Sequence, residues 1–280
     1  MNGQLQILLN NLSVIGNLDS PETMLLVHGF GTDQTVWDLI TPAFEHRYKI
    51  ILLDNMGAGE SVRSAFKQHK YLTLSGYVED LKHIISELSL QNITMIGHSV
   101  GAMIAALTTL EFPRLFKRLV MIGASPCYRD RDDYFGGFEK ETIDQIYDSV
   151  MSDFDHWVNS FTQAAFDYHH DSNIAKRFAS TLHSYDKKYI LTVLCSIFQT
   201  DYRSILPKIT TPTLLVQSEH DFFVPFAVAE YMHMNIPLNQ LVEIPAKGHF
   251  PHLTNANELI REIEKFLTNP MPSSNIFKSE

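Results

Sequence analysis

Basic residues are the scarcer charge in this chain: 22 lysines and arginines stand against 32 aspartates and glutamates, a formal net charge of −10. A surface of that sign repels phosphate backbones and anionic headgroups, which excludes nucleic acid and an anionic membrane as principal partners. Cysteine is nearly absent. The two present, Cys127 and Cys195, lie far apart in sequence and are expected to stay reduced. No apolar run approaches the roughly 20 residues that span a bilayer. The start, Met1-Asn2-Gly3-Gln4, has neither the basic opening nor the apolar core of a secretory signal. A cytoplasmic, soluble protein is expected. Internal repeats and low-complexity tracts are lacking too, which removes repeat architectures. What is there is ordinary globular composition, 45% hydrophobic and 19% charged over 280 residues, long enough to bury a substantial core.

Strand and helix patterns alternate for most of the length, which predicts a mostly parallel, doubly wound sheet covered on both faces. Met24-Leu25-Leu26-Val27, Ile50-Ile51-Leu52-Leu53, Ile93-Thr94-Met95-Ile96, Leu119-Val120-Met121-Ile122 and Thr213-Leu214-Leu215-Val216 are runs suited to strands buried on both sides. Leu241-Val242-Glu243-Ile244 is the last. Helices are predicted over 74–88, after Ser99, and over 255–267, and residues 269–280 read as a loose tail. Alternation fails between Pro126 and Thr200. That stretch is too long for a structureless connection, and its apolar spacing predicts consecutive helices instead. Inserted after a strand of such a sheet, they form a cap over its carboxyl edge, where ligands of open α/β sheets bind. The expected division is a core of 1–125 and 201–268 with a cap of 126–200.

Gly97-His98-Ser99-Val100-Gly101 fits the G-x-S-x-G pattern of a nucleophile elbow, with a strand before it and a helical face (Met103, Ala106, Leu107, Leu110) after it. A serine on so sharp a turn is pushed out of the sheet, and a side chain at either glycine would crowd the adjoining strand and helix. A serine hydroxyl needs a base to take its proton and an acid to hold that base in the right tautomer. In α/β-hydrolase folds these follow in the order Ser, Asp or Glu, His, each on a loop after a strand. Asp221, in Gln217-Ser218-Glu219-His220-Asp221, and His249, in Lys247-Gly248-His249-Phe250-Pro251-His252, fill that series. Glu219 and His252 compete. Asp221 is preferred because Asp221-Phe222-Phe223-Val224-Pro225 leads straight into the next helix. His249 is preferred because Gly248 lets the backbone turn back toward Ser99, which leaves His252 as a polar loop residue.

A place for negative charge is predicted at His28-Gly29-Phe30-Gly31. The N–H of Phe30 and the N–H of Val100, the residue after the nucleophile, form the expected oxyanion hole. His28 and His98 are expected to fix turns rather than to react. The loop Asp54–Ser61 lacks the spacing of a dinucleotide motif. The pair His169-His170 diverges by about 100° on a helix and does not converge on one metal ion. Neither cofactor nor metal is expected. The run Arg129-Asp130-Arg131-Asp132-Asp133 reads as a solvated loop. Aromatic residues crowd the segment 126–200, and part of them should line a dry pocket above Ser99 for a small apolar ligand.

The elbow, the stretch His28-Gly29-Phe30-Gly31-Thr32-Asp33-Gln34 leading to Trp37, and Gly123-Ala124-Ser125-Pro126 followed by Gly136-Gly137-Phe138-Glu139 resemble the RsbQ-type α/β-hydrolases. That group holds the bacterial energy-stress regulator RsbQ and the plant strigolactone and karrikin receptors. The resemblance runs from about residue 10 to 268. It implies an α/β-hydrolase fold with a cap of four helices in two V-shaped pairs. It also implies Ser99, Asp221 and His249 as triad, and Phe30 and Val100 as oxyanion donors. The pocket lining is assigned to Phe30, Tyr128, Phe138, Trp157, Phe161 and Phe198. Cys127-Tyr128 after Ser125-Pro126 is more similar to the bacterial branch. The function this implies is slow cleavage of a small ester or butenolide-like lactone, and the alternative is a ligand sensor whose output is a regulatory protein partner. A dehalogenase or epoxide hydrolase is excluded, because those need a carboxylate where Ser99 stands.

Overall fold

A computed structural model describes residues 3–167 and 172–269. The His169-His170 pair and residues 270–280 of the expected tail lie outside the described residues. In chain order the elements are α1 (Gly3–Leu9), β1 (Ser13–Gly16), β2 (Thr23–Val27), β3 (Lys49–Leu52), α2 (Ser75–Glu87), β4 (Ile93–His98), α3 (Val100–Glu111) and β5 (Phe116–Ile122). Four helices follow without a strand: α4 (Lys140–Ser152), α5 (Phe154–Ala165), α6 (Asn173–His183) and α7 (Lys187–Phe198). The chain then returns through β6 (Thr213–His220), α8 (Phe226–Asn235), β7 (Asn239–Lys247), α9 (Pro251–Thr254) and α10 (Ala256–Thr268).

The seven strands form one sheet in the order β1-β3-β2-β4-β5-β6-β7. All neighbours are parallel except the edge strand β1, which runs antiparallel to β3. One register line crosses Val27, Gly97, Met121, Leu215 and Leu241. The carboxyl ends of β2, β4 and β5 are therefore nearly level, while β6 and β7 run on past that line to His220 and Lys247, and the loops carrying Phe30, Ser99, Asp221 and His249 all leave from this one edge. Along β2, Met24 and Leu26 join the core under α10, while Leu25 and Val27 join the core under α2, α3 and the inserted helices. Successive strand side chains point to opposite faces, so continuous apolar runs mean burial on both.

Helices α5, α6 and α7 each start at a residue whose side chain accepts a backbone N–H of the first turn: Asp153, Ser172 and Asp186. In the inserted segment α5 packs against both α4 and α6, and α4 against α7. Their apolar faces merge with the sheet's core on that side. The sequence reading did not anticipate α1 or β1, and it ended the third strand at Leu53 where β3 ends at Leu52. Among the described residues no helix is long and apolar enough to cross a membrane.

Candidate active site

Ser99 sits between β4 and α3 at φ +54°, ψ −125°, a strained conformation for a residue with a Cβ. Its N–H donates to Ile122 O at 2.8 Å and its carbonyl accepts from Ala102 N at 2.9 Å, so the neighbouring strand and the helix start hold the strain. The flanking glycines are required by closeness: a Cβ on Gly97 would stand 2.5 Å from Ala102 Cα, and one on Gly101 2.4 Å from His28 O.

His249 Nδ1 meets Asp221 Oδ2 at 2.7 Å, with both side chains almost fully buried. Asp221 is fixed in turn, its Oδ1 accepting the N–H groups of Phe223 and Val224 at 2.9 and 3.2 Å. The imidazole and carboxylate lie against Gly123, whose absent Cβ would come within 3.3 Å of the ring. Glu219 is exposed beside His220 and takes no part in this pair. The Ser99 hydroxyl contacts the Tyr128 hydroxyl at 3.4 Å. Ser99 and His249 face one cavity.

On the other side of Ser99, the loop after β2 is braced at several points. Asn55 N donates to His28 Nε2 at 2.8 Å, so the ring proton is on Nδ1, which donates to Gly29 O at 2.8 Å. Thr32 Oγ1 also donates to Gly29 O, and Asp54 Oδ1 accepts Gln34 N–H at 2.9 Å. Burial drives the His28 pKa down, in keeping with a neutral ring that fixes a turn. Among the described residues the N–H groups of Phe30 and Val100 have no hydrogen-bond partner within the protein; Phe30 lies on the loop after β2, and Val100 opens α3 directly after Ser99. An unpaired N–H at a helix start, such as that of Val100, favours an anion. The loop 54–61 is filled by its own groups instead: Asp54 Oδ2 accepts Glu60 N–H, and Ser61 Oγ accepts Gly57 N–H. No phosphate cradle is left there.

The cavity over Ser99 measures about 30 Å³ and is lined by Phe30, Tyr128, Phe161, Leu194, Ile197, Phe198, Phe223 and Phe250 besides Ser99 and His249. Phe138 and Trp157 line a separate outer groove of about 430 Å³ between α4 and α5. Phe161 and Phe223 belong to both linings, their rings 4.7 Å apart. Apart from Phe30, the sequence reading places the pocket aromatics only in the insertion. It missed Phe223 and Phe250, which neighbour Asp221 and His249 in the chain, and Leu194 and Ile197, whose spacing with Phe198 on α7 was the available signal.

Two further residues depart from expectation or extend it. His98 Nε2 donates to the carbonyl of His249 at 2.7 Å, and burial holds its pKa well below the ordinary histidine value; it supports the loop of the buried pair. His252 is no polar loop residue. It is fully buried at the start of α9, against Trp37 and His98 with ring centroids 4.9 and 4.4 Å away, and neither ring nitrogen has a partner. Arg129–Asp133 is only partly a solvated loop, since Asp130 Oδ1 accepts the N–H groups of Gly136 and Gly137. Among the described residues no cluster of His, Cys, Asp and Glu is arranged to hold a metal.

Comparison with known proteins agrees with this fold. Residues 22–256 match the family model described as alpha/beta hydrolase fold. The karrikin insensitive 2 receptor CA of Petunia hybrida is 37% identical over 252 residues, covering 90% of this chain and 93% of the receptor. The strigolactone esterase D14 of Arabidopsis thaliana is 34% identical over 258 residues, covering 92% and 96%. A hydrolase from Oleispira antarctica superposes with a TM-score of 0.91 at 31% identity, covering 96% of this chain and 98% of its own. Topology, match and coverage agree that the chain belongs to the α/β-hydrolase family.

Proposed function

We propose that this hydrolase cleaves a small, mostly apolar ester or lactone, butenolide-like in size, through an acyl-Ser99 intermediate. The observation that carries the reading is convergence: Ser99, Phe30 and His249 line one aromatic cavity, with Asp221 buried behind His249 at 2.7 Å. His249 takes the Ser99 proton as Oγ attacks the carbonyl carbon. Asp221 orients the imidazole and offsets its charge, and the N–H groups of Phe30 and Val100 hold the oxyanion. The proton on His249 passes to the departing alcohol oxygen. Water, deprotonated by His249, then attacks the acyl carbon and frees Ser99. The inserted helices, residues 126–200, act as a lid on the core of 1–125 and 201–268. Phe30, Tyr128, Phe161 and Phe198 contact the acyl portion, and Phe138 and Trp157 the remainder. No step requires a cofactor, and the cytoplasm is the proposed compartment.

Replacing Ser99 by Ala should leave melting unchanged and abolish turnover of p-nitrophenyl acetate. Turnover retained by that variant overturns the proposal. A second reading, a sensor of the RsbQ and strigolactone-receptor kind, is favoured by the similarity to named receptors and by Gly136-Gly137-Phe138-Glu139. It predicts a protein captured from extract only when a butenolide ligand is added.

A further inference from the structure

Tyr128 carries the one polar group in the Ser99 cavity, its hydroxyl, that the proposed steps leave unused. Of the residues lining that cavity, only Ser99, His249 and Tyr128 carry polar side chains. The Tyr128 hydroxyl is buried, and its hydrogen-bond contact among the described residues is Ser99 Oγ, at 3.4 Å. The ring is held edge-on to Phe198, with centroids 5.8 Å apart.

The backbone around it is equally fixed. Tyr128 O accepts Phe138 N–H at 3.1 Å, and Asp130 N–H donates to Phe138 O at 2.8 Å. The carbonyl of Cys127 accepts both Ser125 Oγ and Tyr134 Oη. Gly136 admits this bridge because a Cβ there would stand 2.6 Å from Tyr128 O. Burial pushes the phenol pKa well above its usual value, so the hydroxyl keeps its proton across the working range. The side chain is a preorganised, protonated hydroxyl facing the nucleophile oxygen and able to donate to it.

Resting on the serine-hydrolase reading, we infer that Tyr128 is a catalytic residue of the second half-reaction, donating a hydrogen bond to Ser99 Oγ as that oxygen leaves the acyl group. The asymmetry lies in the ground states. In the resting enzyme the Ser99 hydroxyl already engages Tyr128, so attack on substrate gains little from the contact. In the acyl-enzyme Oγ is an ester oxygen, a weak acceptor. When water adds and the tetrahedral carbon collapses, the electron pair of the C–Oγ bond passes to Oγ, which takes the proton that His249 received from water. Tyr128 lends its hydrogen bond to the developing charge and transfers no proton. An interaction stronger in the transition state than in the preceding ground state accelerates that step alone.

The test is Tyr128→Phe, which keeps the ring and its packing, followed by rapid mixing with p-nitrophenyl acetate. The burst rate reports acylation, and the steady rate per burst site reports deacylation independently of the folded fraction. Expected are a burst rate within about threefold of wild type and a deacylation rate lowered about tenfold, with the acetyl adduct on Ser99 accumulating by mass spectrometry. Deacylation equal to wild type overturns the inference, as does an acylation rate that falls as far as deacylation. Failure of the underlying reading looks different: no adduct on Ser99 in either protein and turnover persisting in Ser99→Ala.

Discussion

The backbone N–H of His249 donates to the carbonyl of Ala165, the last residue of α5, at 2.8 Å. The carbonyl of His249 itself accepts from His98 Nε2. The loop carrying the imidazole is therefore gripped between the elbow and the inserted helices, and any displacement of α5 reaches His249 through one hydrogen bond.

Gly248 makes that grip achievable. It holds φ +85°, and a Cβ there would stand 2.6 Å from Ala165 O. Gly248→Ala should push the His249 loop away from α5 and loosen the aim of the ring at Ser99. Misplacement on the order of 1 Å costs about 10²-fold in rate, so a fall in kcat of roughly 10- to 100-fold is expected with KM little changed. Steady-state kinetics on p-nitrophenyl acetate, with circular dichroism to confirm folding, checks it. A variant with wild-type kcat would show that the contact does not set the position of His249.

The sheet was legible because its central strands are short apolar runs between turn residues, a pattern that burial on both faces imposes. β1 was not. Its four residues, Ser13-Val14-Ile15-Gly16, alternate half-buried and exposed, and their strand state comes from pairing with β3, which no local pattern announces. The reacting groups were legible because the elbow, Gly248 and Asp221 lie on loops whose backbone demands are local. Glu219 and Asp221 differ by two residues along β6 and its loop, so the pleat alone could not separate them; the structure leaves Glu219 in solvent and puts Asp221 on His249. His252 has the polarity of an exposed loop residue, but its burial depends on Trp37, distant in sequence.

Phe161 and Phe223 line both the small inner cavity and the outer groove, their rings 4.7 Å apart. About 30 Å³ holds little more than one or two waters, so an acyl chain of any length must displace these rings. Phe161 is only partly buried. Its replacement by Ala should cost less than the roughly 3–5 kcal/mol typical of a fully buried Phe. Phe161→Ala should raise turnover of p-nitrophenyl octanoate relative to acetate by about tenfold or more, on the order of the discrimination available from removing a steric block. Unchanged chain-length preference would locate the barrier elsewhere.

Acid should destabilise the fold through His252. Burial, reinforced by the nearby His249, lowers its pKa from 6.5 to about 3. At pH 7 and above, folded and unfolded chains both hold the ring mostly neutral, and it adds little pH dependence. As pH falls below 6.5 the unfolded chain takes up a proton that the folded chain refuses until about pH 3, so stability drains away across that window at up to ~1.4 kcal/mol per pH unit. Integrated from pH 7 to pH 5, this one residue accounts for about 2 kcal/mol. His98 and His28, both lowered by burial, act in the same direction. His252→Phe keeps an aromatic ring against Trp37 and removes two buried nitrogens that have no partner. Urea unfolding of both proteins at pH 7 and pH 5 should give a variant at least as stable as wild type at pH 7, with an acid loss smaller by about 2 kcal/mol. Equal losses in the two proteins would mean that folded His252 already carries a proton at pH 5.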